Sequence, residues 1–283
     1  MGIKVENIFY TYQKKASNST LALNDVSLTI NDNDFVAIVG ETGSGKSTLA
    51  QMFNALLVPD KGQVLVNEFV VNYKNRKSKK MRNLRKQVGL VFQFPEYQLF
   101  EETVERDVAF GVKNFGVKAE EALVAAHQAL KQVGLDESYY KRAPFELSGG
   151  ERRKVAIAGI LAINPDIIIF DEPTVGFDPA SAKELMSLIV SMHQLGKTII
   201  VITHDMDLVN EYAKKVFIME KGKVVFEGTP SELFVLAQNN DCLDIPKVIK
   251  LALALKEKGI DIDISKIHNI DDLANAINDW RKK

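Results

Sequence analysis

Gly40-Glu41-Thr42-Gly43-Ser44-Gly45-Lys46-Ser47-Thr48 carries the strongest chemical signal in the chain. Two glycines with four residues between them, followed by Lys and Ser, form a loop whose backbone amides turn inward on an anion. The positive end of the following helix adds to that field, Lys46 can reach the β and γ phosphates, and Ser47 can ligate magnesium. The expected ligand is a nucleoside triphosphate. A bare glycine-rich turn is the alternative, and the flanking context argues against it: residues 35–39 read as a buried strand and residues 46–57 as a helix.

Ile167-Ile168-Ile169-Phe170-Asp171-Glu172 supplies a second element of the same chemistry. An apolar strand should deliver Asp171 at its carboxyl end to the magnesium shell, with Glu172 next to it to polarise an attacking water. Thr203-His204-Asp205 closes the following apolar strand, which should lie beside the first in a parallel sheet. His204 is therefore a candidate sensor of the γ-phosphate. His127, His193 and His268 have no such context and read as ordinary surface or helix residues. Leu147-Ser148-Gly149-Gly150 precedes the acidic strand. Ser148 is a good helix N-cap, and Gly149 and Gly150 leave amides unshielded, so this helix end can attract phosphate without a cationic side chain. Ser148 and Glu151 also have the spacing of a capping box.

The elements that must position these residues follow from periodicity. Residues 3–12 and 23–30 alternate as half-buried strands, and residues 63–71 and 88–93 read as further strands. The basic run 74–86 reads as a solvated loop, with acidic lipid or a partner as the minority reading. Helices are expected at 119–133, 149–163 and 180–195, giving an inserted helical region between the phosphate loop and the acidic strand. Residues 167–170 and 198–203 are short apolar strands of the buried parallel type. From Pro230 onward, helices at 231–237, 246–258 and 270–280 suggest a small helical appendage, with Leu251 and Leu255 on its apolar stripe.

Composition bounds the remaining possibilities. The 283 residues suffice for one large or two modest domains, and a net charge of -1 gives no electrostatic case for nucleic acid. The single cysteine, Cys242, rules out an internal disulfide or a cysteine-based zinc site, suits a reducing cytosol and reads as an inert thiol. No apolar run approaches the ~18 residues that span a bilayer, and no signal-peptide pattern opens the chain, so any work at a membrane needs a partner to hold the protein there.

Taken in order, the phosphate loop, Gln93, Leu147 to Gly150, Asp171-Glu172, Gly176-Phe177-Asp178 and His204 resemble the ATP-binding cassette (ABC) ATPases. The resemblance covers residues 1–230 and implies an α/β fold: a phosphate-loop cassette with a RecA-like parallel-sheet core, an antiparallel β subdomain and a helical subdomain at about 94–165. A helical extension over 231–283 would help join two ATPases. The resemblance further implies ATP and Mg2+ as cofactors, with Ser47, Gln93 and Asp171 around the metal. Tyr12 would stack on adenine, Gln93 would link nucleotide state to a membrane partner, and Asp178 would sit in the loop that crosses a dimer interface. Ser148, Gly149, Gly150 and Glu151 of one subunit would meet the nucleotide held by the other. Catalysis would fall to Glu172, His204, Gln93 and Lys46, with nucleotide contacts from Gly40, Thr42, Gly43, Ser44, Gly45, Lys46, Ser47 and Thr48.

A narrower resemblance comes from the segment Val91 to Val104, continuing to Asp107-Val108-Ala109-Phe110-Gly111, with Phe145-Glu146-Leu147 before the signature and Val155 to Gly159 after it. It is similar to the ATPases of energy-coupling factor (ECF) importers, and closer to the second ATPase of the vitamin-type systems. That implies a different ATPase as dimer partner, a membrane T subunit contacting residues 94–108, and a membrane S component that binds the solute. The chain would work peripherally at the cytoplasmic face of the cell membrane, powering uptake of a vitamin or other micronutrient. Glu41 replaces the usual Pro or His and Phe177 the usual Leu, and neither removes a chemical group; Glu151 replaces the usual Gln, which should preserve the cap but weaken any ribose contact that glutamine would make. An ECF metal-ion importer, a soluble ABC ATPase of DNA repair or translation, and a noncatalytic partner in an asymmetric pair are the alternatives. The soluble class usually carries coiled coils, zinc insertions or two cassettes, which this sequence lacks.

Overall fold

Alternating burial makes Ile3–Tyr12 (β1) and Thr20–Ile30 (β2) half-buried antiparallel strands, whereas Phe35–Val39 (β3) is buried at every residue. The structure, a computed structural model, describes residues 2–13, 19–237 and 245–281, so Cys242 lies outside the described residues. The helix after the phosphate loop, Lys46–Phe53 (α1), stops short of residue 57 because Ala55 takes a left-handed φ of 56°. Residues 63–71 are not one strand but a hairpin: Lys61–Val66 (β4) pairs with β1 and turns into Phe69–Val71 (β5) through Asn67 at φ 49°. The four strands form an antiparallel sheet in the order β2-β1-β4-β5.

The basic run is only partly a loop. Lys80–Gln87 (α2) is a helix because Met81 and Leu84, three residues apart, bury one face while the lysines and arginines stay on the other. Val88–Val91 (β6) follows, and then Val104–Asn114 (α3), a helix that sequence periodicity had not singled out. Ala119–Gln132 (α4), the short Glu137–Tyr140 (α5) and Gly149–Leu161 (α6) complete the inserted helical region.

Ile167–Asp171 (β7), Pro179–Gln194 (α7) and Thr198–Ile202 (β8) form the expected strand-helix-strand unit. Met206–Tyr212 (α8) leads to Lys215–Glu220 (β9) and Lys223–Gly228 (β10), a hairpin that the sequence reading also missed. The second sheet runs β10-β9-β3-β8-β7-β6, parallel except at the β9-β10 pair. Pro230–Ala237 (α9), Lys247–Glu257 (α10) and Ile270–Arg281 (α11) end the chain.

Strand period two divides the core by sheet face. Val36, Ile38, Ile169 and Ile200 pack with α1 and the antiparallel sheet, while Phe35, Ile168, Phe170 and Val201 pack with α3, α4, α6 and α7. Ala37, Val39, Val216 and Ile218 share a third cluster with Leu233, Phe234, Ile249, Ala252, Ile267 and Leu273. Each large side chain buried this way contributes ~1.5–3 kcal/mol. The carboxyl-terminal helices are thus fixed to the parallel sheet by a shared core, and buried Asn210 on α8 reinforces the joint by donating to the Ile267 and His268 carbonyls at 3.1 and 2.8 Å. Leu251 departs from the expected stripe: Ile249 and Ala252 point inward on α10, and Leu251 stays 46% exposed.

Candidate functional site

The carboxyl ends of β3, β7 and β8 lie side by side, and everything chemical in the first site hangs on that adjacency. Beyond β3 the chain enters the phosphate loop at Gly40, whose φ is 144° and where a Cβ would lie 2.1 Å from the Met219 carbonyl oxygen. Gly45 caps α1 at φ 103°, with the Ala22 carbonyl 2.5 Å from where its Cβ would be. The loop is wedged between β9 and β2, and only glycine fits at both ends. Gly43, at φ 85°, has nothing within 4 Å of its would-be Cβ, so the middle of the loop faces open space.

Lys46 is buried and donates from Nζ to the Gly40 and Glu41 carbonyls at 2.7 and 2.9 Å. Burial pushes its ammonium pKa down, against the pull of Glu172 and Asp171. Asp171 shows the mirror effect. Burial raises its carboxyl pKa, a hydrogen bond from Ser47 opposes the rise, and Glu172 adds to it. In both groups desolvation outweighs the opposing charge, which marks a pocket short of compensating charge.

Glu172 follows β7 in a left-handed conformation at φ 51°, and its amide donates to the Ile202 carbonyl at 2.8 Å. This kink turns its side chain to His204, whose Nδ1 lies 2.9 Å from Glu172 Oε1. The other carboxylate oxygen, Oε2, and the Ser44 hydroxyl are both buried without a hydrogen-bond partner. Unpartnered buried polar atoms beside one lysine and two carboxylates suit a phosphate chain with a divalent cation. Among the described residues no cluster of three or more His, Cys, Asp or Glu side chains would hold a metal by itself. A cation here would have to share its shell with Ser47 and phosphate oxygens.

Tyr12 reaches this site from the antiparallel sheet, with its hydroxyl 3.2 Å from Thr48 Oγ1 and its ring edge-on to Tyr10 at 4.9 Å. Thr42 is exposed on the loop, and Gln93 is exposed just beyond β6. Fold and loop geometry therefore gather Tyr12, residues 40–48, Asp171, Glu172 and His204 on one side of the molecule.

Ser148, Gly149, Gly150 and Asp178 are not part of that gathering. Among the described residues no hydrogen bond or ion pair joins them to the phosphate loop. Ser148 caps α6 in a full capping box, accepting from the Glu151 amide at 3.3 Å, while Glu151 Oε2 accepts from the Ser148 amide at 2.8 Å and its hydroxyl at 2.7 Å. The Tyr139 hydroxyl donates to Glu151 Oε1 at 2.9 Å. The bonds from Ser148, then Tyr139, hold the Glu151 carboxyl below the usual carboxylate range. A Cβ on Gly149 or Gly150 would meet nothing within 4 Å, so no contact among the described residues requires glycine at either position. Asp178 caps α7, accepting from the Ala180 and Ser181 amides at 3.0 and 3.1 Å.

Arg153 escaped notice in the sequence. Its side chain is buried on α6 and donates from Nη1 to the Val175 carbonyl at 2.5 Å, with Glu96 Oε2 3.3 Å from Nε. The available signal was periodicity: Arg153 lies one turn before buried Ile157, so a charge stands on the apolar face of an amphipathic helix.

A phosphate-loop nucleotide-binding cassette is the class that this fold and geometry define. The ABC transporter family profile matches residues 23–175. The chain is 50% identical to the energy-coupling factor transporter ATP-binding protein EcfA2 of Streptococcus pneumoniae over 92% of its length and 94% of that protein. It is 46% identical to EcfA2 of Streptococcus agalactiae over 98% of this chain and 99% of that one. Among solved structures, cbiO1 of Clostridium perfringens, part of the ABC transporter complex cbiONQ, superposes with TM-score 0.73 at 38% identity, over 91% of this chain and 96% of that one. The dimeric ATP-binding cassette MJ0796, in a post-hydrolysis state with ADP and Pi, superposes with TM-score 0.72 at 31% identity, over 81% and 98%. The chain belongs to the ABC transporter ATPases, within the family of energy-coupling factor transporter ATP-binding proteins.

Proposed function

We propose that this protein hydrolyses ATP as one subunit of an ECF-type importer that takes up a vitamin or other micronutrient. The observation that carries the reading is the meeting of Lys46, Asp171, Glu172 and His204 at the phosphate loop in a chain half identical to EcfA2 proteins. Residues 40–48 would enclose the phosphates, with Tyr12 against the base. Lys46 would exchange its two carbonyl partners for phosphate oxygens, whose negative charge would offset the burial that now depresses its pKa. Glu172 would orient the attacking water and hold its proton on the unpartnered Oε2, while His204 fixes Oε1. Magnesium, held by Ser47 and Asp171 with Gln93 nearby, would neutralise charge on the phosphate oxygens. Positioning and electrostatics then supply most of the rate, as expected for phosphoryl transfer.

The signature completes a site on another subunit. No contact among the described residues requires glycine at Gly149 or Gly150, which supports a close approach by a second ATPase. That second ATPase is a different chain in our reading, with Asp178 near the same interface. Residues 1–230 would form the ATPase domain and 231–283 an extension that helps hold the pair together. The face after Gln93 would receive the T subunit along residues 94–108, with an S component beyond it. Exposed aromatics support this: Tyr97 is 83% and Phe100 64% accessible. No helix among the described residues is long and apolar enough to cross a membrane, so membrane partners would hold the chain peripherally at the cytoplasmic face.

Tagged protein purified from its native membrane should bring out a second ATPase and integral T and S chains, and should drive ATP-dependent uptake once reconstituted. Recovery as a soluble protein without membrane partners would refute the reading.

A further inference from the structure

Arg153 is buried, charged and unused by the hydrolytic site, and it touches three functional segments at once. From α6, whose first residues are Gly149 and Gly150, its Nη1 bonds the Val175 carbonyl at 2.5 Å. Its guanidinium lies 4.7 Å from the Phe177 ring centroid, just before Asp178, and 5.6 Å from the Phe94 ring centroid, just after Gln93. Glu96 supplies the counter-charge, with Oε2 3.3 Å from Nε. Both partners are shielded, with side-chain exposures of 6% and 14%.

The pairing is incomplete. Arg153 Nη2 and Glu96 Oε2 are buried without hydrogen-bond partners, because the ion pair closes by distance and not by hydrogen-bond geometry. A side chain that only filled space would be better apolar, since burying an imperfectly bonded ion pair gains little over well-packed hydrophobic residues. A planar guanidinium can, however, bond one segment while stacking on two rings, which neither Lys nor Met can do.

We propose that Arg153 is a positioning residue that ties the signature helix to the segment behind Gln93 and to the turn before Asp178, so that the three move together. Closure of the signature on a neighbour's nucleotide then shifts the membrane-facing groove in the same displacement. Loss of the tie leaves ATP turnover running with less of it converted into transport. This inference rests on the importer reading above.

The test uses the complete complex in liposomes, with ATP turnover and solute uptake measured on the same preparation. Unmodified complex must show ATP-driven uptake, and Glu172→Gln must lack it; these controls test the importer reading and not the tie. Given them, Arg153→Met should lower uptake per ATP hydrolysed by about 2- to 30-fold, the span of substitutions along a coupling network. Glu96→Gln should do the same more weakly, Arg153→Lys should recover part of the ratio, and the double substitution should be no worse than Arg153→Met alone. If turnover and uptake fall in proportion, so that the ratio stays within about twofold of the unmodified complex, Arg153 is merely structural and the proposal is overturned. Additive effects of the two single substitutions overturn it as well. Should Arg153→Met fail to assemble, Glu96→Gln, which is isosteric, decides the outcome by the same ratio.

Discussion

Replacing Glu151 by glutamine tests how the signature meets a phosphate, and the structure fixes the size of the effect. Ser148 Oγ donates to Glu151 Oε2 at 2.7 Å. A phosphate oxygen accepting from the same hydroxyl would sit at a further ~2.7 Å, the usual O–H···O distance. The carboxylate would then stand no more than about 5.4 Å from phosphate charge. Coulomb repulsion at that separation is about 0.8 kcal/mol at the dielectric of water and about 3 kcal/mol at an effective value of 20. The group is partly exposed, so the lower end applies, about 1 kcal/mol or fivefold in nucleotide affinity. Glutamine removes the repulsion, and its amide nitrogen no longer competes for the Ser148 proton. It also keeps only one acceptor oxygen where the carboxylate has three donors, and it removes a negative charge from the amino end of α6, worth ~0.3–1 kcal/mol. Glu151→Gln should therefore lower the ATP concentration giving half-maximal turnover of the assembled complex about fivefold, while slightly lowering its melting temperature. The shift should shrink as salt rises. An unchanged or raised half-saturation would refute the argument, because it would mean that the carboxylate does not face phosphate.

Glu172→Gln should cut steady-state ATP turnover by ~10²–10⁴-fold while leaving nucleotide binding, as removal of a general base does; normal turnover with that substitution contradicts the role given to Glu172. Gly40→Ala should abolish soluble expression or nucleotide binding, since its Cβ would sit 2.1 Å from a backbone carbonyl, whereas Gly43→Ala meets nothing and should be tolerated at a strain of ~1–2 kcal/mol. Equal effects in a binding assay would count against the loop geometry. Asn210→Ala should destabilise by ~1–3 kcal/mol through the two carbonyls left without their donor, readable as a lower urea midpoint; no change would show the joint to be redundant. Burial pushes the Glu105 carboxyl up, but Lys141 and His127 bonded to it bring it below the usual carboxylate range. Its stabilisation is thus complete above the unfolded value of ~4.3 and is lost as pH falls through the depressed folded value. Glu105→Gln should lower stability near neutral pH and matter progressively less in acid, and a pH-independent loss in denaturation curves would count against the ion pair.

Local chemistry was legible without coordinates wherever backbone and neighbours in sequence set it. The phosphate loop needs particular φ angles at Gly40 and Gly45, the capping box needs Ser148 and Glu151 three apart, and buried parallel strands need unbroken apolar runs such as Ile167 to Phe170. These demands appear in the residue types themselves. Short or composition-poor elements did not: α2 hides a two-residue apolar face in a basic run, and the β9-β10 hairpin has no helix between its strands to announce it.

Sequence by itself determined that a triphosphate loop, two acids and a histidine stand at strand ends, because each is specified by its immediate neighbours. Only tertiary structure decided that His204 meets Glu172, that no described residue crowds the signature glycines, and that Arg153 joins Glu96, Phe94 and Val175. Those contacts link segments far apart in the chain. Their existence depends on sheet order and helix packing, which hydrophobic burial sets for the molecule as a whole.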